Sequence, residues 1–187
     1  WEEYLPPMQD LCSEERMALR IQLERKLNTP MTSSMGRFFD AAAALAGGRQ
    51  RVNYEAQGAI EFEALVADDE SGSYSFCNDQ AQIGVRSGIL SLLKDVQNNI
   101  PISIISAKFH NGVAEMVLKT CVSLREKSGV NTVALSGGVW QNMFMLERTL
   151  EMLRAEEFDT LTHRQVPTND GGLALGQAAI AAWKLKK

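Results

Sequence analysis

The sequence contains few cysteines, and their positions exclude the folds that depend on them. Among 187 residues there are three, Cys12, Cys77 and Cys121, which lie far apart and have no CxxC spacing. An odd number without paired spacing fits neither a disulfide framework nor a zinc ribbon. We therefore expect three free thiols, with Cys121 packed in the core on the apolar face of a helix.

The sequence also lacks an excess of positive charge and any long apolar run. It has 19 Lys and Arg against 23 Asp and Glu, a formal net charge of -4. The chain therefore lacks the excess of positive charge with which proteins bind a nucleic-acid backbone. No apolar run approaches the roughly 20 residues that span a bilayer, and the first residues are acidic, unlike those of a signal peptide. We expect a cytoplasmic protein that binds neither nucleic acid nor membrane.

The local signatures of several enzyme classes are absent. There is no GxGxxG or Walker A motif for phosphate, and no GxSxG elbow for a nucleophilic serine. The two histidines, His110 and His163, have no histidine partner at i+3 or i+4, so we expect each to be a structural hydrogen-bonding residue. We expect His110 to precede a helix and His163 to end a strand.

Hydrophobic periodicity predicts a helix-rich chain that ends in alternating strands and helices. The short apolar run at 132–135 and the segment 159–162 are predicted to be strands, and each is followed by a glycine loop and a helix. This order predicts a βαβ unit with parallel strands. The remaining predictions are short strands within 74–82 and helices over 13–28, 35–45, 58–67, 112–127, 143–153 and 173–185.

Two glycine loops follow the predicted strands, at the edge of an open α/β sheet where ligands bind. Ser136-Gly137-Gly138 can bring backbone amides to a phosphate, or it can be a tight turn whose glycines serve packing. Asn169-Asp170-Gly171-Gly172 adds a carboxylate that can ligate a metal or cap a helix. We expect the two loops to converge on one ligand.

Asp40 is a further candidate for a binding residue. It lies in the predicted helix 35–45 among Phe and Ala residues, where a partly buried carboxylate requires a hydrogen-bond donor. Ribose hydroxyls would supply such donors, and the alternative is a carboxylate on an exposed helix face.

Five segments, taken in order, resemble a known family. They read TSSMGRFFDAAAAL, YEAQGAIEFEAL, FHNGVAEMV, LSGGVWQNMFMLERTLEMLRAEEF and THRQVPTNDGGLALGQAAIA. From about Met31 to Ala182 they resemble the C-terminal, TsaD-like part of HypF, the hydrogenase-maturation carbamoyltransferase. The resemblance implies an α/β fold: a lobe of the ribonuclease H-like, actin-like (ASKHA) architecture with short strands, flanking helices and a helix-rich N-terminal part.

The resemblance also implies an activity. In that family a YrdC-like domain converts ATP and carbamoyl phosphate into carbamoyl adenylate, and the type of domain found here transfers the carbamoyl group to the C-terminal cysteine thiol of the partner HypE. That step leads to the cyanide ligand of nickel–iron hydrogenase. The alternatives are an O-carbamoyltransferase, a TsaD-like tRNA threonylcarbamoyl transferase, or, in another class, a non-catalytic nucleotide-binding interaction module.

The resemblance also implies site residues, because the motifs of the family can be matched to positions in this chain. Asp170 matches an aspartate that, in the family, shares a divalent metal (Zn, Fe or Mg) with histidines of the preceding lobe. The amides of the Gly137-Gly138 turn are expected to face the phosphate or the developing oxyanion. The residues that match nucleotide contacts are Gly36, Asp40, Gln57, Glu61, Gly137, Gly138 and Asn142, with Asp40 at the ribose and Glu61 at the ribose or the adenosine.

One loop departs from the family pattern. The family commonly reads YEGQAA, whereas this chain has Ala56 in place of the glycine and Gly58 two places later. If the backbone at Ala56 takes a positive φ, its Cβ costs about 1 kcal/mol or more.

The extent of the resemblance also predicts the domain organisation. Because the chain opens at Trp1 and resembles only the last part of the family, we expect a fragment that is inactive alone. Residues 1–30 are expected to be a helical segment that continues from an upstream lobe. Residues 31–187 are expected to be the C-terminal lobe of the carbamoyltransferase domain.

Overall fold

The computed structural model describes residues 2–79 and 82–185. The chain forms two compact units, Trp1–Gly112 and Val113–Lys187. Within the described ranges, no helix is both long enough and apolar enough to cross a membrane.

The first unit is mainly helical. Its short strands β1 (Cys77–Asp79) and β2 (Gln82–Gly84) form an antiparallel pair. The helices predicted over 13–28, 35–45 and 58–67 are confirmed, and so are the short strands near 74–82, except that residues 80 and 81 lie outside the described ranges. The helices are α1 (Pro6–Asp10), α2 (Ser13–Arg25), α3 (Met35–Leu45), α4 (Gln57–Ala64), α5 (Arg86–Gln97) and α6 (Ile102–Ser128), the last of which extends into the second unit.

An aromatic cluster forms the core of the first unit. Phe39 on α3 and Phe62 on α4 are 1% exposed, and both pack on Phe109 of α6, with ring centroids 5.0 and 5.8 Å from it. Edge-on and tilted contacts of this kind are favoured between aromatic rings. At the start of α3 the hydroxyl of Ser34 accepts a hydrogen bond from the amide of Arg37, which caps the helix.

Helix α6 begins ten residues earlier than expected, at Ile102 rather than Gly112. His110 therefore lies inside the helix, and the expectation that it precedes one is wrong. The cause is burial: Ile105, Ala107 and Phe109 are at most 1% exposed, and a helix that is buried on all sides shows no amphipathic stripe. Helices α1 and α5 were not predicted either.

The second unit contains the expected βαβ arrangement. Strands β3 (Thr132–Leu135) and β4 (Asp159–Thr162) pair in parallel, with Leu135 opposite Thr162. Helix α7 (Met143–Ala155) connects them, and α8 (Leu173–Lys184) follows. Two short 3₁₀ turns, Gly138–Gln141 and Asp170–Gly172, stand between strand and helix. The parallel strands and the helices predicted over 143–153 and 173–185 are confirmed.

The core of the second unit lies between the sheet and its helices. Leu135, Leu153 and Phe158 are buried, and Cys121 of α6 packs against them. The guanidinium of Arg125 lies over the ring of Phe158, 4.0 Å from its centroid. Cys12 and Cys121 are free thiols, as expected, whereas the side chain of Cys77 lies outside the described part of the structure.

Candidate functional site

The parallel pairing of β3 and β4 brings two polar side chains together at the carboxyl ends of the strands. Because Leu135 pairs with Thr162, the next residues, Ser136 and His163, emerge side by side. The Nε2 atom of His163 lies 2.9 Å from the Oγ atom of Ser136, within hydrogen-bond distance. Both side chains are exposed, so the pair is open to a ligand.

The two glycine loops meet at this same edge, as the sequence predicts. The amide of Gly137 donates a hydrogen bond of 2.9 Å to the carbonyl oxygen of Thr168. The side-chain amide of Asn169 donates a longer hydrogen bond, of 3.3 Å, to the side-chain oxygen of Gln141. The Gly137 amide is thus used within the fold, and the amide that this turn can offer to an anion is that of Gly138.

A cavity of about 270 Å³ opens between the loops. This volume is near the lower end of ligand pockets and suits a phosphate with part of a nucleoside. Of the lining side chains, His163 and Asp170 are the two that can ionise. The lining residues are Ser136, Gly137, His163, Pro167, Thr168, Asn169, Asp170, Gly172 and Leu173.

Asn169, and not Asp170, caps the turn that leads into α8. The Oδ1 atom of Asn169 accepts a hydrogen bond from the amide of Gly171 at 3.1 Å. Asp170 is exposed, and its carboxylate has no hydrogen bond or ion pair with any described residue. The capping role that the sequence left open for Asp170 is therefore filled by its neighbour.

Gly172 fits this loop because it has no side chain. A Cβ atom there would lie 2.9 Å from the carbonyl oxygen of Pro167, closer than real Cβ atoms approach backbone. The glycine therefore lets the loop fold back tightly beneath Asp170.

Asn142 has a clear structural role at the start of α7. Its Oδ1 atom accepts a hydrogen bond from the amide of Met145 at 2.8 Å, which caps the helix. The nucleotide contact expected for Asn142 stays a prediction, and it would have to coexist with this cap.

The other expected nucleotide contacts lie in the first unit. Asp40 is part of α3, where its carboxylate forms an ion pair of 3.4 Å with Arg37 and is 28% exposed. The partial burial and the need for a donor agree with the sequence argument, although the donor found is a guanidinium. Gly36 lies one turn earlier on the same helix. Gly58 faces Asp40, since a Cβ at Gly58 would lie 3.6 Å from Oδ1 of Asp40.

Glu61 is held by two neighbours. The Nε atom of Arg49 lies 2.8 Å from both of its carboxylate oxygens, and Gln57 donates to Oε1 at 3.0 Å. The hydrogen bond from Arg49 lowers the pKa of Glu61, with a smaller contribution from Gln57. Gln57 is buried and also accepts the amide of Asn53 at 2.8 Å. The carboxylate is thus ionised and oriented before any ligand arrives.

Ala56 takes the backbone conformation that makes glycine the usual residue in this loop. It stands at the N-cap of α4 with φ 62° and ψ 10°, in the left-handed region. A Cβ atom is strained in that region. The condition set by the sequence argument is thus met, and the energetic cost of the Cβ atom stays a prediction.

Two features of the site could not be read from the sequence. One is the Ser136–His163 pair, for which the only signal was that each residue follows a strand end. The other is Arg49, which precedes α4 in an irregular segment and carries no motif. Within the described residues there is also no group of three His, Cys, Asp or Glu side chains that could hold a metal ion.

The chain has clear relatives. Residues 1–177 match the family described as carbamoyltransferase, Kae1-like domain, second subdomain, and the chain belongs to this family. It is 31% identical over 159 residues to carbamoyltransferase HypF of Synechocystis sp., a match covering 83% of this chain and 20% of that protein. It is 37% identical over 171 residues to a carbamoyltransferase HypF homolog of Cupriavidus necator, covering 86% and 43%.

A solved structure shows the same fold. The crystal structure of full-length HypF in the phosphate- and nucleotide-bound form matches with a TM-score of 0.88 and 38% identity, covering 97% of this chain and 24% of that one. The resemblance to the C-terminal part of HypF and the expected Kae1-like α/β fold are thus confirmed. The chain spans less than half the length of these relatives.

Proposed function

We propose that this chain is the part of a HypF-type enzyme that receives carbamoyl adenylate and supports transfer of the carbamoyl group to the C-terminal cysteine thiol of HypE. The adenylate would form from ATP and carbamoyl phosphate in a separate YrdC-like domain, and the reaction would serve cyanide-ligand synthesis for nickel–iron hydrogenase in the cytoplasm. The observation that carries the proposal is the meeting of the two glycine loops around one cavity. The nucleotide- and phosphate-bound HypF structure supports it.

The proposed reaction needs little covalent help from the protein. A thiolate sulfur attacks the carbonyl carbon of a mixed anhydride, the bond from that carbon to the phosphate oxygen breaks, and AMP leaves. Orientation and charge stabilisation are then the main contributions. In the second unit, the Gly138 amide is the proposed donor to the anion. In the first unit, the oriented carboxylate of Glu61 and the carboxylate of Asp40 are proposed acceptors for ribose hydroxyls.

The two thiols that the structure describes, Cys12 and Cys121, fit a reaction whose nucleophile comes from a partner. Cys121 packs against the apolar core of the second unit, and burial raises the pKa of its thiol, which disfavours the reactive thiolate. Cys12 belongs to the first unit and does not line the cavity.

Asp170 suits the role of one ligand in a shared metal site. Its carboxylate is exposed, lines the cavity and is free of partners among the described residues, as a ligand must be. One carboxylate alone is too few, and in the family the other ligands come from histidines of the preceding lobe. A divalent cation bound there would stabilise negative charge that develops on the substrate.

Replacement of Asp170 tests this proposal in the native protein that carries this chain. Asp170→Asn keeps the shape of the side chain and removes the charge, so we expect loss of the divalent metal and of carbamoyl transfer to HypE. Carbamoyl-phosphate-dependent release of pyrophosphate from ATP, which reports adenylate formation, should persist. Asp159→Asn, at the amino end of β4, is the matched control and should leave both activities unchanged.

Two outcomes would contradict the proposal. Unchanged transfer in Asp170→Asn would exclude a role for this carboxylate in the reaction. Modification of tRNA in place of the HypE thiol by the unaltered protein would identify a TsaD-like enzyme.

Replacement of Asp40 tests the first unit separately. Asp40→Ala should weaken nucleotide binding by about 1–3 kcal/mol in calorimetry, the usual cost of leaving hydrogen-bonding groups unpaired. Asp68→Ala, an exposed acid in the same unit, is the control. Equal affinities of the two variants would mean that Asp40 is only a partner of Arg37.

A further inference from the structure

We propose that His163 is a catalytic residue that accepts the proton of the acceptor thiol, and that Ser136 is the positioning residue that fixes the orientation of its ring. The inference deepens the proposed function and rests on it. The structure supplies three observations that point to this pair: their strand register, their hydrogen bond and their place in the cavity.

The register of the two parallel strands places Ser136 and His163 next to each other. Leu135 and Thr162 are paired in the parallel sheet, so Ser136 and His163 are each the first residue beyond a strand end. The 2.9 Å separation of His163 Nε2 and Ser136 Oγ follows from that placement. A serine on the neighbouring strand therefore holds the imidazole at the same edge as the glycine loops.

The pair lies where the acceptor would have to arrive. Ser136 and His163 line the cavity together with Gly137 and Asp170. Both side chains are exposed, so an incoming chain can reach them without rearrangement of the core. Among the lining residues, Asp170 is the other ionisable group.

The chemistry requires a proton acceptor. A cysteine thiol has an ordinary pKa of about 8.5, so most of it is protonated near neutral pH, and the thiolate is the nucleophile. A neutral imidazole is the side chain best matched to accept a proton at that pH.

In the proposed reaction Nε2 is the donor of the His163–Ser136 hydrogen bond, a direction that the hydroxyl of Ser136 permits because it can accept as well as donate. When Nε2–H donates to Ser136 Oγ, Nδ1 carries a lone pair and is free to accept the thiol proton. As the proton moves from sulfur to Nδ1, the sulfur–carbon bond forms, the bond from carbon to the phosphate oxygen breaks, and AMP leaves as an anion. The exposed imidazolium then returns its proton to water.

The experiment compares variants of the native protein that carries this chain, with HypE as acceptor. The first step is followed as carbamoyl-phosphate-dependent release of pyrophosphate from ATP, and the second as the mass increase of HypE by one carbamoyl group. His163→Gln keeps a donor for Ser136 but accepts no proton. We expect transfer to fall by about 100-fold or more near neutral pH, at unchanged KM for HypE and unchanged adenylate formation.

The pH profile separates a proton-accepting role from a structural one. Above about pH 9 most acceptor thiol is already ionised, so the defect of His163→Gln should shrink to a few fold. The same variant series should include His163→Ala, whose transfer should recover when imidazole is added. Ser136→Ala should show a smaller loss of transfer, and Arg164→Gln, the exposed neighbour, should match the unaltered protein.

Several results would overturn the inference. Full transfer by His163→Gln near neutral pH, or a defect of equal size at every pH, would exclude proton acceptance by His163. A carbamoyl group found covalently bound to Ser136 would make the serine a nucleophile and would contradict its positioning role. Failure of the unaltered protein to modify HypE, with adenylate formation intact, would instead refute the proposed function.

Discussion

The amide of Gly137 donates a hydrogen bond to the carbonyl oxygen of Thr168, and this contact of 2.9 Å joins the two glycine loops of the second unit. The residues involved are far apart in the sequence, and no side chain takes part. The alignment of the loops therefore depends on the backbone conformation of Gly137, whose φ is 107° and ψ 161°. Only glycine adopts that region readily.

Gly137→Ala should destabilise the chain by about 1–3 kcal/mol, the cost of placing a side chain in that region. The effect comes from conformation alone, since a Cβ atom there would meet nothing within 4 Å. Urea denaturation of the two proteins measures it. Gly138→Ala is the matched control: its Cβ would make an ordinary contact of 3.8 Å with Asn169, so its free energy of unfolding should change little. Equal losses in the two variants would contradict this account.

Ala56→Gly should stabilise the chain by about 1 kcal/mol, because it removes the strain of a Cβ atom in the left-handed region. Ala59→Gly, in the interior of α4, should have the opposite effect and destabilise by about 1 kcal/mol. Thermal or urea unfolding distinguishes the two directions. A loss of stability in Ala56→Gly would mean that the loop conformation is not strained.

Gly58→Ala should also be tolerated and should stabilise α4 by about 0.5–1 kcal/mol, since alanine has the higher helix propensity. The new Cβ would lie 3.6 Å from Oδ1 of Asp40 and 4.0 Å from the Cβ of Ala43, both ordinary contacts. Combined with Ala56→Gly it restores the common family sequence. The double variant should unfold at a higher urea concentration than either single variant; a lower midpoint would show that the two positions conflict.

His110 should make the stability of the chain depend on pH. It is fully buried beside Phe39 and Phe62, and burial lowers its pKa from 6.5 to about 4, partly offset by a hydrogen bond to Ser106. Between these values the unfolded state binds a proton that the folded state does not. Stability should therefore fall as pH decreases, by about 2 kcal/mol between about pH 6.5 and pH 5.

Urea unfolding at several pH values tests this dependence. Above about pH 7.5 both states hold the imidazole almost entirely neutral, so the contribution of His110 should be constant. His110→Leu should abolish the dependence between about pH 6.5 and pH 5 even if it lowers the overall stability. A free energy of unfolding that does not change with pH in the unaltered chain would show that protonation of His110 does not destabilise the folded state.

Arg49→Gln should raise the pKa of Glu61 toward its ordinary value, since the hydrogen bond from Arg49 is the main cause of its lowering. Gln57 would remain as a weaker donor. An NMR titration of the side-chain carboxyl carbon measures the shift. Arg51→Gln is the control, because Arg51 pairs with Asp10 and Glu15 instead. The same pKa in Arg49→Gln and the unaltered chain would contradict the assignment.

The parts of the fold that the sequence predicted are those set by local chemistry. Strands β3 and β4 are short β-favouring segments that lead into glycine loops, and α3 has a serine cap before an amphipathic stripe. The first turns of α6 were missed because they are largely buried, and such burial comes from tertiary packing that periodicity does not record.

The features of the site that follow from the order of strands and loops were predicted from the sequence, whereas those that depend on tertiary structure were not. The meeting of the Gly137 and Asp170 loops follows from parallel strands, which have their carboxyl ends at one edge. The Ser136–His163 contact depends in addition on the register of those strands, and the Arg49–Glu61 pair on the path of an irregular segment. Neither of these is encoded by spacing along the chain.

Asn169 caps the turn before α8 and Asp170 does not, and this difference has a genetic consequence. Because the amide side chain of Asn169 does the capping, the neighbouring carboxylate has no hydrogen bond or ion pair with the described residues. Changes at position 170 should accumulate to normal levels in cells and escape any screen for misfolded protein, so that selection can act on that carboxylate only through chemistry.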